Sequence, residues 1–413
     1  MELHEIIYES TTILISVSVL IALLLKRFRT SPLWRATVTP LASIIGSGFL
    51  VSAPLLLYTA GPWAVLAMLA IVTVAYGLRS SIRYNINHVE SIVHGDIKTN
   101  GYASWLFKVD ALSRPALGIA YLISVTFYLK LLSAFAMRGL GDSSLLLENG
   151  LTTFILVVIG LVGLVRGLSM LEVLETYSVS TKLAIIAALI VTFFMFNIEL
   201  AYKGDWDVGA ESHESLWILF RKILGMLIIV QGFETSRYLG DAYSSTLRVK
   251  SMRYAQWISA LIYIVFVALS SAIFEGLSEV NETSVIDLSS IVASILPVLL
   301  VIAAIMSQFS AAISDTLGGG GMLSEAVNKK MKPNHCYFLI SMLGIGLTWL
   351  TNIFQIIAIA SKAFAFYYAL QLILTMIVLI HSDNSNHRLM KLLMYSLLFI
   401  IMILVLVLGI PVE

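Results

Sequence analysis

The sequence predicts an all-α integral membrane protein with about twelve transmembrane helices. Ten of these form a five-plus-five inverted repeat, and one extra helix lies at each end. Three observations carry that reading. The 413 residues are 59% hydrophobic and only 12% charged, with a mean hydropathy of +0.92, which lies outside soluble composition. Apolar runs long enough to cover roughly 30 Å of hydrocarbon recur along the whole chain. Two of those runs are interrupted halfway by small or polar residues, and the two open corresponding halves of the sequence.

Length and hydropathy place spans at 6–25, 37–58, 62–80, 116–137, 151–166, 174–197, 217–240, 254–274, 288–313, 336–350, 353–380 and 390–410. Residues 1–413 read as one membrane domain, because no stretch is rich enough in Pro, Ser or Gly to be a linker. Within it, 37–197 forms the first repeat and 217–380 the second. An odd number of spans per half makes the halves antiparallel. Residues 6–25 and 390–410 are the extra helices. The longest connection, 79–115, is polar and basic, and is expected to lie along the inner surface, with room for a short amphipathic helix.

Lys and Arg near helix ends set the orientation. Lys26, Arg27, Arg29 and Arg35 follow the first span, and alternate later loops hold Arg79, Arg83, Lys98, Lys108 and Arg114, then Arg248, Lys250 and Arg253, then Lys329, Lys330 and Lys332. The opposite loops are acidic, with Asp205, Asp207, Glu211 and Glu214 before the second interrupted run and Glu275, Glu279, Glu282 and Asp287 after the next span. Both termini are therefore expected outside, with the protein in the plasma (cell inner) membrane. A net charge of +1 gives no reason to expect a nucleic acid partner. The single cysteine, Cys336, cannot form an intramolecular disulfide.

The first interrupted run, TPLASIIGSGFLVSAPLLLY, extends from Thr39 to Tyr58; the second, ILFRKILGMLIIVQGFETSRYLGD, from Ile218 to Asp241. Backbone groups freed inside a bilayer find no water, so a break is tolerated where it lines a cavity, and there it can hold a ligand.

These segments resemble the amino acid–polyamine–organocation (APC) superfamily of permeases, which share the LeuT-like fold. Four stretches carry the resemblance: IIGSGF from Ile44, similar to the family's glycine-serine-glycine signature; QGFETSRYLGDAYSSTLRVKSMRYA from Gln231, with its glycine–aromatic–acid break and basic loop; ETYSVSTKL from Glu175, where the family often has a lysine; and FSAAISDTLGGGGMLSEA from Phe309. The likeness covers nearly all of 37–380. The leading helix 6–25 departs from the commonest family pattern.

The resemblance implies a secondary active transporter of amino acids or related amines, working by alternating access and driven by protons, with no catalytic residues, cofactor or metal. Ile45, Gly46, Ser47 and Gly48 would meet a substrate carboxylate through unwound backbone and a helix N-terminus, although such small residues also serve close helix packing. Gln231, Gly232, Phe233 and Glu234 would meet its ammonium group, with Phe233 covering the site. Glu234 is costly at this depth and so is a functional candidate, the alternative being an internal ion pair with Arg237. Lys182 takes the position that a sodium ion holds in other members. A lysine desolvated in a bundle can exchange a proton during transport, unless its stem snorkels to the interface.

Lys130 and Lys362 add further intramembrane cations, which would suit an acidic substrate or partner Glu234. Ser310 and Ser314, one turn apart, could face Lys182 or a sodium ion, although such serines more often bond their own helix. The run Gly318–Gly321 reads as a flexible inner gate or loop. Gly139-Leu140-Gly141-Asp142 resembles an intramembrane aspartyl protease string, but topology puts Asp142 at an outer helix end, where a terminating turn explains it. The alternatives are a sodium-coupled carrier or exchanger of another small molecule, and a non-transporting membrane sensor or partner subunit.

Overall fold

The structure, a computed structural model, describes residues 3–93, 101–142, 144–168, 172–208, 214–239, 243–273, 280–382 and 387–412. All regular structure in them is helical. The leading helix is α1 (Leu3–Leu24), followed by the short α2 (Lys26–Arg29). The first repeat comprises α3 (Pro32–Ala60), α4 (Ala64–Val93), α5 (Gly101–Gly139), α6 (Leu145–Arg166) and α7 (Glu172–Lys203). The second opens with α8 (Leu216–Gly225) and two 3-10 segments, Leu227–Val230 and Phe233–Leu239. It continues through α9 (Ser245–Ser270), the short α10 (Ser284–Val292), α11 (Leu296–Ala326), α12 (Pro333–Leu350) and α13 (Ile353–Ser382). The closing helix is α14 (Arg388–Leu408).

Local chemistry explains where several helices begin. Ser31, Ser215 and Ser244 each accept a hydrogen bond from the backbone N–H three residues on, at Trp34, Ile218 and Leu247, which satisfies one of the donors left free at a helix start. Pro32 and Pro333 stand at the first helical position, where a missing N–H costs nothing.

Each helix of the first repeat up to α6 packs against its counterpart in the second. Helix α3 meets the broken α8 segment, α4 meets α9, α5 meets α11, and α6 meets α12. Cross-contacts obey the same symmetry, with α5 on α13 and α7 on α11. That pairing is the one a five-plus-five repeat predicts. Nine stretches are long and apolar enough to cross a bilayer among the described residues, with Pro32–Val93 counted as one although it turns at Gly61–Trp63. Helix α1 packs on α7, where the hydroxyls of Thr12 and Thr192 are 2.7 Å apart and Tyr8 bonds Glu199.

Three expectations fail in detail. The connection expected over 79–115 is mostly helix, because α4 continues to Val93 and α5 begins at Gly101. No proline or glycine interrupts 79–93, and Arg79, Arg83 and Asn85 are buried between helices rather than lying on a surface. The span expected at 288–313 is two helices: Ala293 is extended at φ −160°, and Pro297 opens α11. The run Gly318–Gly321 lies inside α11, where Gly318 and Gly319 face Tyr121 and Gly320 faces Tyr337. These glycines serve packing between helices.

Candidate functional site

The second break is real. Helix α8 stops at Gly225, and the chain passes through the two 3-10 segments with Gly232 at φ +113°, a conformation that favours glycine. A Cβ there would lie 2.4 Å from Ser43 Oγ and 2.7 Å from Ile44 N, so the break is pressed directly on α3. The freed carbonyls find side-chain donors. Ser361 Oγ donates to Gly225 O at 2.7 Å, Arg79 to Val230 O at 2.8 Å, and Thr235 Oγ1 to Gly232 O at 2.7 Å. Tyr263 Oη lies 2.7 Å from Ile229 O and 2.8 Å from Ile44 O, so its one proton is shared between the break and α3.

The first break, expected at Ile45, Gly46, Ser47 and Gly48, is absent: α3 is helical throughout that stretch. An N-terminus cradling a carboxylate therefore does not form there. Two glycines in a helix cost about 1 kcal/mol each, whereas backbone groups freed in hydrocarbon cost several. Their use is close approach. A Cβ on Gly48 would lie 2.6 Å from Ile229 Cα, and one on Gly46 would lie 2.8 Å from Ala311 Cβ. Ile45 is buried, and the side chain of Ser47 lies outside the described residues.

Around the break, Glu234 has no exposed surface. Its Oε2 accepts from Gly232 N at 3.1 Å and from Tyr368 Oη at 2.9 Å. Its Oε1 has no hydrogen-bond partner among the described residues. Phe233 stacks on Tyr368 with centroids 5.1 Å apart, and the Arg79 guanidinium lies 4.6 Å from the Phe233 ring centre, within cation–π range. The same guanidinium is in electrostatic reach of Glu234. The alternative for Glu234, an ion pair with Arg237, is not seen among the described residues, where Arg237 pairs with Asp110; Gln231 Nε2 donates to Tyr128 Oη at 2.8 Å.

Lys182 is buried at 1% exposure, so it does not snorkel. Its ammonium donates to Ala42 O on α3 at 2.8 Å and lies 3.3 Å from Ser307 Oγ on α11. The serine it meets is thus one turn before Ser310, which is buried without a partner for its Oγ among the described residues; Ser314 is half-buried. Lys130 donates to Thr348 O and Thr351 O at 3.2 and 2.8 Å, where it caps the C-terminus of α12. Lys362 shares a helix face with exposed Ile359 and Phe366. Neither lysine joins the central cluster.

Beyond the break a polar network draws six elements together. Arg237 pairs with Asp110 at 2.8 Å and bonds Gln371, whose side chain accepts from Asn85 at 3.0 Å. Arg248 pairs with Glu90 at 2.7 Å and donates to Arg237 O at 2.8 Å. Arg114 bridges Asp110 and Glu325 at 2.9 and 3.1 Å. These contacts link α4, α5, α9, α11, α13 and the second 3-10 segment.

Sequence reasoning missed Arg79, Asp110, Tyr128, Asp315 and Tyr368. Two left a signal: Asp315 is an acid inside the quoted run FSAAISDTLGGGG, and Asp110 lies in a stretch with enough apolar residues to continue a helix. Arg79 counted there as a loop charge, and the two tyrosines carry no sequence mark of their own.

A helical bundle built on an inverted repeat, with a broken span and buried charges at its centre, defines a multi-pass membrane transporter. The chain belongs to the APC superfamily: a family model described as APC superfamily transporter matches residues 26–409. An uncharacterized protein of Aquifex aeolicus (strain VF5) is 42% identical over 384 residues, 92% of each chain. Among solved structures, Mhp1, a nucleobase-cation-symport-1 family transporter in a closed conformation with bromovinylhydantoin bound, matches with a TM-score of 0.57 and 13% identity, over 92% of this chain and 91% of that one. At that identity the match speaks for the fold, which is LeuT-like.

Proposed function

We propose that the protein is a secondary active transporter of an amine or amino acid, working by alternating access and driven by protons. The observation that carries this reading is the open acceptor Oε1 of Glu234 at the second break. A buried acceptor without a donor is costly, and an ammonium or other N–H donor would satisfy it. The end joined by Arg237, Asp110, Arg248 and Glu90 acts as the closed inner gate, and both chain termini face outside the plasma membrane. Lys182 supports proton coupling because it joins α3, α7 and α11 through one ammonium. Loss of its proton would remove the charge-assisted bond that holds the three helices together.

A second reading is a planar nitrogen heterocycle, favoured by the stacked Phe233 and Tyr368 beside Glu234. The bound hydantoin of the nucleobase-cation-symport-1 neighbour is a ligand of that chemistry.

A thermal-shift screen of purified protein against amino acids, polyamines, nucleobases and sugars tests the assignment. A ligand at a hundredfold above its Kd adds about 2.7 kcal/mol. The expected result is an amine or amino acid that stabilises the native protein but not Glu234→Gln. A nucleobase with that behaviour selects the second reading. A sugar that stabilises both proteins equally contradicts both readings.

A further inference from the structure

The buried acid that the scheme above leaves unused is Asp315, on α11 with no exposed surface. Its Oδ2 accepts from Ser124 Oγ on α5 at 2.5 Å. The hydroxyls of Tyr128 on α5 and Ser43 on α3 lie near the same carboxyl, whose Oδ1, like Ser43 Oγ, has no hydrogen-bond partner among the described residues. Tyr128 Oη already accepts from Gln231 Nε2, which leaves its own proton free to be donated onward.

The surroundings of Asp315 are notable for charge. The ionisable group beside it from the break is Glu234, a like charge, and Tyr368 of α13 is spent on Glu234. Lys182 of α7 meets α11 at Ser307, about 12 Å along the helix axis at 1.5 Å per residue. Among the described residues no Lys, Arg or His makes an ion pair with Asp315. A lone carboxylate held this deep needs a cation. A proton on the carboxyl supplies it, and so does an alkali ion among hydroxyl and carboxylate oxygens, the ligands hard cations prefer.

We propose that Asp315 is a second coupling-ion site, taking a monovalent cation (a proton or an alkali metal ion) between α3, α5 and α11, separate from Lys182. The site is linked to the break by contact. Ser43 belongs to its shell, and the space beside Ser43 Oγ is where a Cβ on Gly232 would fall, at 2.4 Å. Gln231 holds Tyr128 from the break itself. Movement of the break past α3 therefore rearranges the shell, and occupancy of the shell biases that movement.

The test uses the purified full chain and no organic substrate. Thermal unfolding is followed across pH in NaCl, KCl or LiCl, with choline chloride holding ionic strength constant. The expected result is a response to one cation that the native protein shows and Asp315→Asn loses. If an alkali ion occupies the site, its apparent affinity falls by about tenfold per pH unit where protons compete. If the proton alone occupies it, only the pH response differs between native protein and Asp315→Asn. Should Asp315→Asn fail to fold, Ser124→Ala keeps the acid and removes a donor, and the midpoint of the response should shift. Identical responses in native protein and variant overturn the proposal. That failure would leave amine binding at Glu234 standing, and failure of the substrate screen would leave this site standing.

Discussion

Lys182 on α7 donates its ammonium to the Ala42 carbonyl of α3 at 2.8 Å, four residues before Gly46 and on the helix that carries Gly48 against Ile229 of the break. One side chain from the end of the first repeat thereby holds the helix that opens it. Hydrogen bonds from charged groups contribute about 1.5–3 kcal/mol each. Lys182→Ala should lower stability by about that much and abolish accumulation of substrate against a gradient, while exchange down a gradient persists. Denaturation and proteoliposome flux measure the two effects.

Gly232 tolerates no side chain. Its φ of +113° and the 2.4 Å approach to Ser43 Oγ make Gly232→Ala both strained and overpacked. Left-handed strain alone costs on the order of 1–3 kcal/mol. The variant should unfold at lower temperature and lose any ligand-induced shift.

Gly48→Ala tests close approach rather than conformation. Its Cβ would lie 2.6 Å from Ile229 Cα, a backbone atom that cannot rotate aside. The helix should persist while α3 and the break separate, at about 1–3 kcal/mol. Unchanged helicity by circular dichroism with a reduced melting temperature is the expected pair of results. A loss of helicity would show instead that the glycines matter for the helix itself.

Breaking the Arg237–Asp110 pair should open the inner gate proposed for it. Removing one partner of a buried pair costs about 3–5 kcal/mol, enough to shift an equilibrium between two conformations decisively. In a Cys336→Ser background, a cysteine placed at buried Ser236 should react faster with a soluble thiol reagent once Asp110→Ala is added.

The spans were legible because hydrocarbon imposes length and composition, and the second break was legible because Gly232 and Glu234 stand together inside an apolar run. Gly46 and Gly48 misled for a physical reason: a glycine pair serves an unwound backbone and a close helix contact equally well, and only the position of Ile229 tells them apart. Lys182 was singled out by the resemblance, which puts a lysine at that point of the fifth core helix; mid-span placement alone would not separate it from Lys130 and Lys362. Which serine Lys182 meets depends on helix phase, and the phase selects Ser307 rather than Ser310 or Ser314. Arg79 was hidden by the charge rule itself, since a basic residue near a span end looks like a loop marker until α4 is seen to continue past it to Val93.

Uptake by purified protein in proteoliposomes tests proton-driven carriage most directly. Labelled amines and amino acids are offered under an imposed proton gradient, then under a sodium gradient of equal size. Proton-driven accumulation that disappears in both Lys182→Ala and Glu234→Gln is the result this scheme requires. Accumulation driven by sodium alone, or equal accumulation in the native protein and both variants, would contradict it.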